Sequence, residues 1–142
     1  MDLKALFKLQ YGLYIVGSNK GEKVNAQIAN TVFQVTSDPP TIAVSINKQN
    51  LTHEYIQSSK SFSVSVLVKD TPLSFIGNFG FKSGRDIDKF AEIKYQRGST
   101  GCPVAKDNAN ACYEAKVLKT ADAGTHTIFI GELVDAETLN DN

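Results

Sequence analysis

Apolar and polar residues alternate strictly from Thr41 to Asn47. Ile42, Val44 and Ile46 fall on one face of an extended chain, and Thr41, Ala43, Ser45 and Asn47 on the other. The same period of two marks further strands. "YGLYIVGS" from Tyr11 reads as a first strand, "NKG" as a turn, and "EKVNAQIANTVFQVTS" from Glu22 as one long second strand paired with the first in a hairpin. "SDPP" interrupts the ladder, because proline donates no backbone hydrogen bond. "FSVSVLV" from Phe62 follows as a fourth strand, and "ACYEAKVLKTAD" and "THTIFIGELVDAE" form two more, joined by a turn at Ala123–Gly124. Between Ala91 and Asn110 the signals are weak and predict one short strand plus loop.

Helical spacing is rarer. Asp2 can cap a short helix with Leu3, Leu6 and Phe7 on one face, and "LTHEYIQSS" predicts a short helix starting near Asn50. "DTPLSFIGNFG" predicts a third, with Thr71 as cap, Pro72 at its first position and Gly80 at its end. "SGRDIDKF", from Ser83 to Phe90, reads as a loop or single turn. Six or seven strands with three short helices imply a mainly β, antiparallel barrel. A parallel α/β sheet would need strands alternating with long helices.

Composition narrows the function classes. The 142 residues fit one domain spanning 1–142, with 42% hydrophobic and 21% charged residues. Fifteen basic residues balance fifteen acidic ones, so nothing in the charge calls for nucleic acid or an anionic membrane. No apolar run reaches membrane-spanning length. The N-terminus "MDLKALFKLQ" has an acidic second residue and an apolar stretch too short for a signal peptide, so a cytoplasmic location is the expectation. The two cysteines, Cys102 and Cys112, form no CxxC pair and support neither a structural zinc nor an iron–sulfur site, so no metal is expected. Their spacing permits a disulfide; a reducing cytosol favours free thiols.

The candidate chemistry lies in three places. Alternation along the long second strand puts Ala29, Thr31, Phe33 and Val35 on one face and Asn30, Val32, Gln34 and Thr36 on the other. The second face fits the polar edge of a flat heteroaromatic ring, or an ordinary solvent face. In "SINKQNLT" a strand end runs into a helix start, where free N–H groups and the helix dipole favour an anion. Asn50 and Thr52 can cap the helix or donate to phosphate oxygens, and Lys48 adds positive charge. The segment reads equally as a monophosphate seat or as a plain cap with a solvated lysine. His53 is expected at the surface. His126 stands at a strand start, lining a cleft or simply hydrogen-bonded at an edge. Lys89 and Phe90 close over a ligand or pack. No GxxxxGK[ST] or GxGxxG is present, and no acid–base pair or nucleophile–base arrangement can be read.

The run "NTVFQVTSDPPTIAVSINKQNLTHEYI", with "LFKLQYGLYIVGS", "FKSGRDIDKF" and "GTHTIFIGELVDA", resembles the flavin reductase-like family of FMN-binding split barrels. Within it the likeness is to the flavin domains of high-molecular-weight rubredoxins and to flavoredoxin-like reductases. It covers nearly the whole chain in order. It implies a Greek-key split barrel that binds FMN as a homodimer. Asn30, Thr31, Val32, Phe33, Gln34 and Thr36 would border the isoalloxazine ring, and Ser45, Ile46, Asn47 and Lys48 would follow the ribityl chain. Lys48, Asn50 and Thr52 would hold the phosphate, with Lys89 a second phosphate partner. The loop from Ser83 to Phe90 would approach the flavin, and His126 would stand on the nicotinamide side as the catalytic residue. The implied activity is hydride transfer from NADH or NADPH to flavin, then to free flavin, a rubredoxin-like protein or oxygen. The rival readings are a non-enzymatic FMN electron carrier and a split barrel for another ligand such as heme or a phosphorylated vitamin. The two CxxC pairs of the rubredoxin-bearing relatives are missing, so the expectation is a stand-alone flavin domain or a fragment with a short tail.

Overall fold

In the computed structural model, residues 1–140 are described. A 3-10 helix, Leu3–Lys8, follows Asp2, whose Oδ1 accepts from the Lys4 amide at 3.0 Å. Nine strands and two α-helices come next: β1 (Tyr14–Lys20), β2 (Lys23–Ala29), β3 (Val32–Ser37), β4 (Pro40–Asn47), α1 (Leu51–Ser59), β5 (Ser61–Leu67), α2 (Leu73–Gly80), β6 (Gln96–Arg97), β7 (Pro103–Val104), β8 (Ala109–Ala123) and β9 (His126–Thr138). The positive φ of Gly21 and Gly124 makes the β1–β2 and β8–β9 turns possible.

Seven strands form one antiparallel sheet in the order β2-β1-β5-β8-β9-β4-β3. Its two edge strands, β2 and β3, are consecutive in the chain and separated only by Asn30 and Thr31. A sheet whose edges are joined by two residues must curl until those edges meet, which makes the split barrel. The long second strand expected from Glu22 to Ser37 is therefore two strands. The break at Asn30–Thr31 lets the chain cross from one edge of the sheet to the other, and alternation alone does not reveal that. In the middle segment two two-residue strands, β6 and β7, pair with each other where one was expected.

The sheet closes on Val16, Val44, Ile46, Phe62, Val64 and Phe129, each of them 2% exposed or less. Full burial of such side chains contributes about 1.5–3 kcal/mol apiece. Gly131 sits inside β9 because a Cβ there would lie 2.8 Å from the Phe62 ring. A second cluster lies outside the barrel, where Phe79 of α2 and Phe90 of the segment after it pack against Ile15 and Ala26 of β1 and β2. The Phe79 and Phe90 rings meet edge-on at 5.4 Å. Pro72 is itself the N-cap of α2, and the Thr71 hydroxyl donates to the Val68 carbonyl instead of capping. The two cysteines are buried free thiols, and burial pushes the Cys102 thiol up to about 11.

Candidate functional site

Between β2, the N-terminus of α1 and the end of α2 lies a cavity of about 320 Å³. Its lining is rich in hydrogen-bond donors. Asn50 is the N-cap of α1, yet its side chain caps nothing; its Nδ2 donates to Gln27 Oε1 at 3.0 Å. Thr52 is fully buried, and its Oγ1 accepts from Asn25 Nδ2 at 2.9 Å. The amide of His53 is taken by the Asn50 carbonyl. The Leu51 and Thr52 amides, in the first turn of α1 and without an intrahelical acceptor, form the positive end of the helix dipole. Ser83 and Gly84 close the other side. A Cβ on Gly84 would stand 2.0 Å from Asn25 Oδ1, so only glycine lets this loop reach the cavity floor.

Lys89 reaches the same cavity from behind. It is 5% exposed, and its Nζ donates to the carbonyls of Ala26 and Phe79, each at 2.8 Å. Burial pulls its pKa down from 10.5 to about 8. An ammonium has three N–H groups, and two are spent on carbonyls, which leaves one for an anion. The structure thus brings Asn50, Thr52, Ser83 and Lys89 to one cavity. Asn25 and Gln27 complete it and were not anticipated. Their polar alternation with Val24, Ala26 and Ile28 looks like a solvent face, and only the packing of α1 against β2 turns it inward.

Several expected residues stand elsewhere. Lys48 does not join Asn50 and Thr52; its Nζ pairs with Asp122 Oδ1 at 2.8 Å and lines a different cavity. That hydrogen bond, helped by the Gly124 amide, holds the Asp122 carboxyl below the usual range. His53 is buried, not on the surface. Its Nε2 lies 2.8 Å from Thr127 Oγ1 and its ring packs on Phe129. Burial and the neighbouring Lys48 lower its pKa. Phe90 packs in the α2 cluster. Ile46 is fully buried in the barrel, and Val32 packs against the same core, so neither side chain faces outward. Gln34 pairs with Ile42 on the core side, lines a third cavity of about 400 Å³ and donates to Thr36 O and Ser37 Oγ. The Thr36 hydroxyl is tied into the turn before β4, 2.6 Å from Thr41 Oγ1.

The outer face of β4 gathers the remainder. Val44 pairs with Phe129 in the core, so the neighbouring pairs Ala43–Ile130, Ser45–Ile128 and Asn47–His126 point out of the barrel. Phe33 pairs with Ala43 on that face and is half exposed. The Ser45 amide donates to Thr31 O at 3.3 Å, which draws the Asn30–Thr31 link alongside. His126 Nδ1 lies 2.8 Å from Thr125 Oγ1, an interaction that orients the ring. A strip running from Phe33 past Thr31, Ser45 and Asn47 to His126 ends where β4 hands over to α1 and its cavity.

Residues 6–142 match the family described as "Flavin reductase like domain". The chain belongs to that family. Among curated members of similar sequence, the high molecular weight rubredoxin of Moorella thermoacetica is 60% identical over 139 residues, covering 98% of this chain and 61% of that protein. The ferric-chelate reductase (NAD(P)H) of Archaeoglobus fulgidus is 51% identical over 141 residues, covering 99% of this chain and 83% of that one. The chain thus spans about three fifths of the rubredoxin relative. A solved FMN-binding protein from Thermus thermophilus superposes with a TM-score of 0.86 at 28% identity, over 97% of this chain and 78% of that one. The split barrel seen here is also the fold of that FMN-binding protein.

Proposed function

We propose that the chain is an FMN-dependent oxidoreductase that takes a hydride from NADH or NADPH and passes electrons to a second acceptor. The observation that carries this reading is the donor-lined cavity at the N-terminus of α1, placed at the end of an outer strip that leads to His126. The donor set fits a phosphate: Lys89 Nζ, two helix amides, Asn50 and Ser83 converge, and no carboxylate of the described residues lines the cavity. One such seat suits a single phosphate, which favours FMN over FAD. The relatives named for FMN binding and for NAD(P)H-dependent reduction support both partners of the reaction.

Bound flavin supplies a ring that accepts hydride. The chain's own residues do the rest. Lys89, Thr52 and the first amides of α1 would hold the phosphate end. Asn47, Ser45 and the backbone at Thr31 line the way to Phe33, and this outer face of β4 would hold the ring end. His126, oriented through Nδ1 by the Thr125 hydroxyl, keeps Nε2 for the carboxamide of the nicotinamide. A second copy of the chain would exclude water. Phe33, and Leu6 and Phe7 of the N-terminal 3-10 helix, are exposed apolar surface of the kind a homodimer covers. The acceptor that the rubredoxin relative suggests is a rubredoxin-like iron protein, with free flavin or oxygen as alternatives. Two buried free thiols suit a cytoplasmic location.

Calorimetric titration with FMN and FAD, followed by steady-state oxidation of NADH and NADPH, tests the reading. FMN should bind more tightly than FAD, and at least one nicotinamide should be consumed. Tighter binding of FAD refutes the single-phosphate seat. Tight FMN with neither nicotinamide oxidised leaves an electron carrier instead of an enzyme.

A further inference from the structure

The cavity that holds Lys48 lies across α1 from the phosphate seat and measures about 560 Å³. One wall is α1. The other is the inner face of the β8–β9 hairpin where it runs past β5, whose pairing with β8 ends at Ser61–Lys116. The apolar part of the floor is the half-buried Val117, with the buried side chains of Ile56 and Phe129 directly beneath it. The rim is cationic. Lys48 is held by Asp122 at 2.8 Å, whereas Lys60 makes no ion pair among the described residues. His53 and Thr127 satisfy each other at 2.8 Å, and since burial and Lys48 lower the His53 pKa, its imidazole adds no charge near neutral pH. Two ammonium groups therefore face one carboxylate over an apolar floor, in a volume within the range of small-molecule sites, about 300–1,000 Å³.

We infer that this second cavity binds a small organic anion, its body over Val117 and its carboxylate or phosphate between Lys48 and Lys60, where it takes the place of Asp122 as the partner of Lys48. The apolar floor selects an organic body over a bare inorganic ion, and the excess of ammonium over carboxylate selects an anion over a neutral ring. The site is independent of the phosphate seat, which lies on the other side of α1 and shares no lining residue with it. Occupancy would be felt at the flavin strip nevertheless. Lys48 follows Asn47 directly, and its amide donates to Thr125 O at 2.9 Å, next to His126.

The test uses the full chain saturated with FMN, or as purified should FMN not bind, and follows backbone amide shifts by NMR. The probes are salicylate, phenyl phosphate and the neutral salicylamide. Saturable shifts at Lys48, His53, Lys60 and Thr127 are expected with one or both anions, and none with salicylamide at equal concentration. The anion that saturates at lower concentration identifies the head group. Two variants should move the affinity in opposite directions. Lys60→Asn removes a rim charge while suiting the left-handed backbone at that position (φ 60°), and should weaken binding about fivefold. Asp122→Asn keeps an acceptor for the Gly124 amide but frees Lys48, and should tighten binding severalfold. The inference is overturned if salicylamide binds as well as the anions, if the shifts do not saturate, or if neither variant changes the affinity. It is overturned equally if FMN displaces the probe, because the cavity would then belong to the flavin site.

Discussion

Lys89 should make FMN binding depend on pH in a way that one substitution abolishes. In the free protein its pKa is about 8, because burial strips water from the ammonium and no carboxylate of the described residues pairs with it. At pH 7 about 90% of the chains carry the charge, and at pH 9 about 10%. A phosphate monoester, with its second pKa about 6, is already a dianion across that window. If the dianion binds only the charged form, the apparent affinity for FMN should fall about tenfold between pH 7 and pH 9, with one proton taken up per FMN bound at the alkaline end. Lys89→Gln keeps N–H donors for the Ala26 and Phe79 carbonyls but has nothing to titrate. Its affinity should be lower at pH 7 by roughly ten- to a hundredfold, the worth of a charge-assisted hydrogen bond of about 1.5–3 kcal/mol, and should stay flat to pH 9. Flavin fluorescence titrations across the range measure both curves. A flat wild-type profile, or the same slope in Lys89→Gln, would refute the reasoning. Stability carries the complementary sign. The folded pKa lies below the unfolded 10.5, so the unfolded chain binds more protons between pH 8 and 10.5, and Lys89 makes the cofactor-free fold more stable as pH rises through that window.

Other outcomes follow from single contacts. Gly84→Ala should push its loop off the cavity floor, because the added Cβ would fall 2.0 Å from Asn25 Oδ1; FMN affinity should drop with little change in melting temperature, and unchanged affinity would show that the loop does not shape the seat. Phe62→Ala, at the centre of the barrel, should cost about 3–5 kcal/mol in urea unfolding, and a loss under 1 kcal/mol would mean that the barrel collapses around the void. His126→Ala should leave the FMN dissociation constant near wild type and slow flavin reduction by NADH or NADPH in rapid mixing; loss of FMN at a wild-type reduction rate would put His126 at the wrong end of the cofactor. Light scattering should give a dimer, and Phe33→Asp should shift it toward monomer; a wild-type monomer with FMN fully bound would remove the second copy from the site.

The strands were legible where one face meets the core and the other does not. Ile42, Val44 and Ile46 alternate with polar or small residues because β4 has a barrel on one side only, and the pattern reports that directly. It could not report that the chain changes edges at Asn30–Thr31, since two extended segments in succession keep the same period whichever neighbours they choose. The error carried through to the site. Treating residues 22–37 as one strand made Val32, Gln34 and Thr36 look like ring-edge readers, whereas the core and a turn claim them. The donor-lined cavity was half legible. Asn50 and Thr52 announce a helix start, but Lys48 was attached to them by proximity in sequence. The last residues of a strand send side chains to alternate sides, and Lys48 falls on the side of Asp122. Lys89 brings the ammonium to this cavity instead, from 41 residues beyond Lys48, and nothing local to "SGRDIDKF" shows that its side chain passes under β2.

The Asn30–Thr31 link explains why the fold places a binding strip and a donor cavity together. Because the two edge strands are joined by so short a connection, β2 and β3 must approach where that connection crosses, beside Ser45 of β4. Two residues beyond Ser45 β4 ends, α1 begins at Leu51, and β2 supplies Asn25 and Gln27 to the start of α1. The outer strip on β4 and the seat at the helix start are thus two consequences of one closure. Lengthening the link should separate them. Two glycines inserted after Asn30 would relax the approach of the edges while leaving every proposed phosphate contact in place. FMN should then keep most of the affinity that comes from its phosphate, but the ring end would no longer be fixed against Ser45 and Phe33. The expected signature is a modest loss in FMN affinity, riboflavin binding lost altogether, and a larger fall in the reduction rate. Equal losses for FMN and riboflavin would show that strip and seat are not set by the same closure.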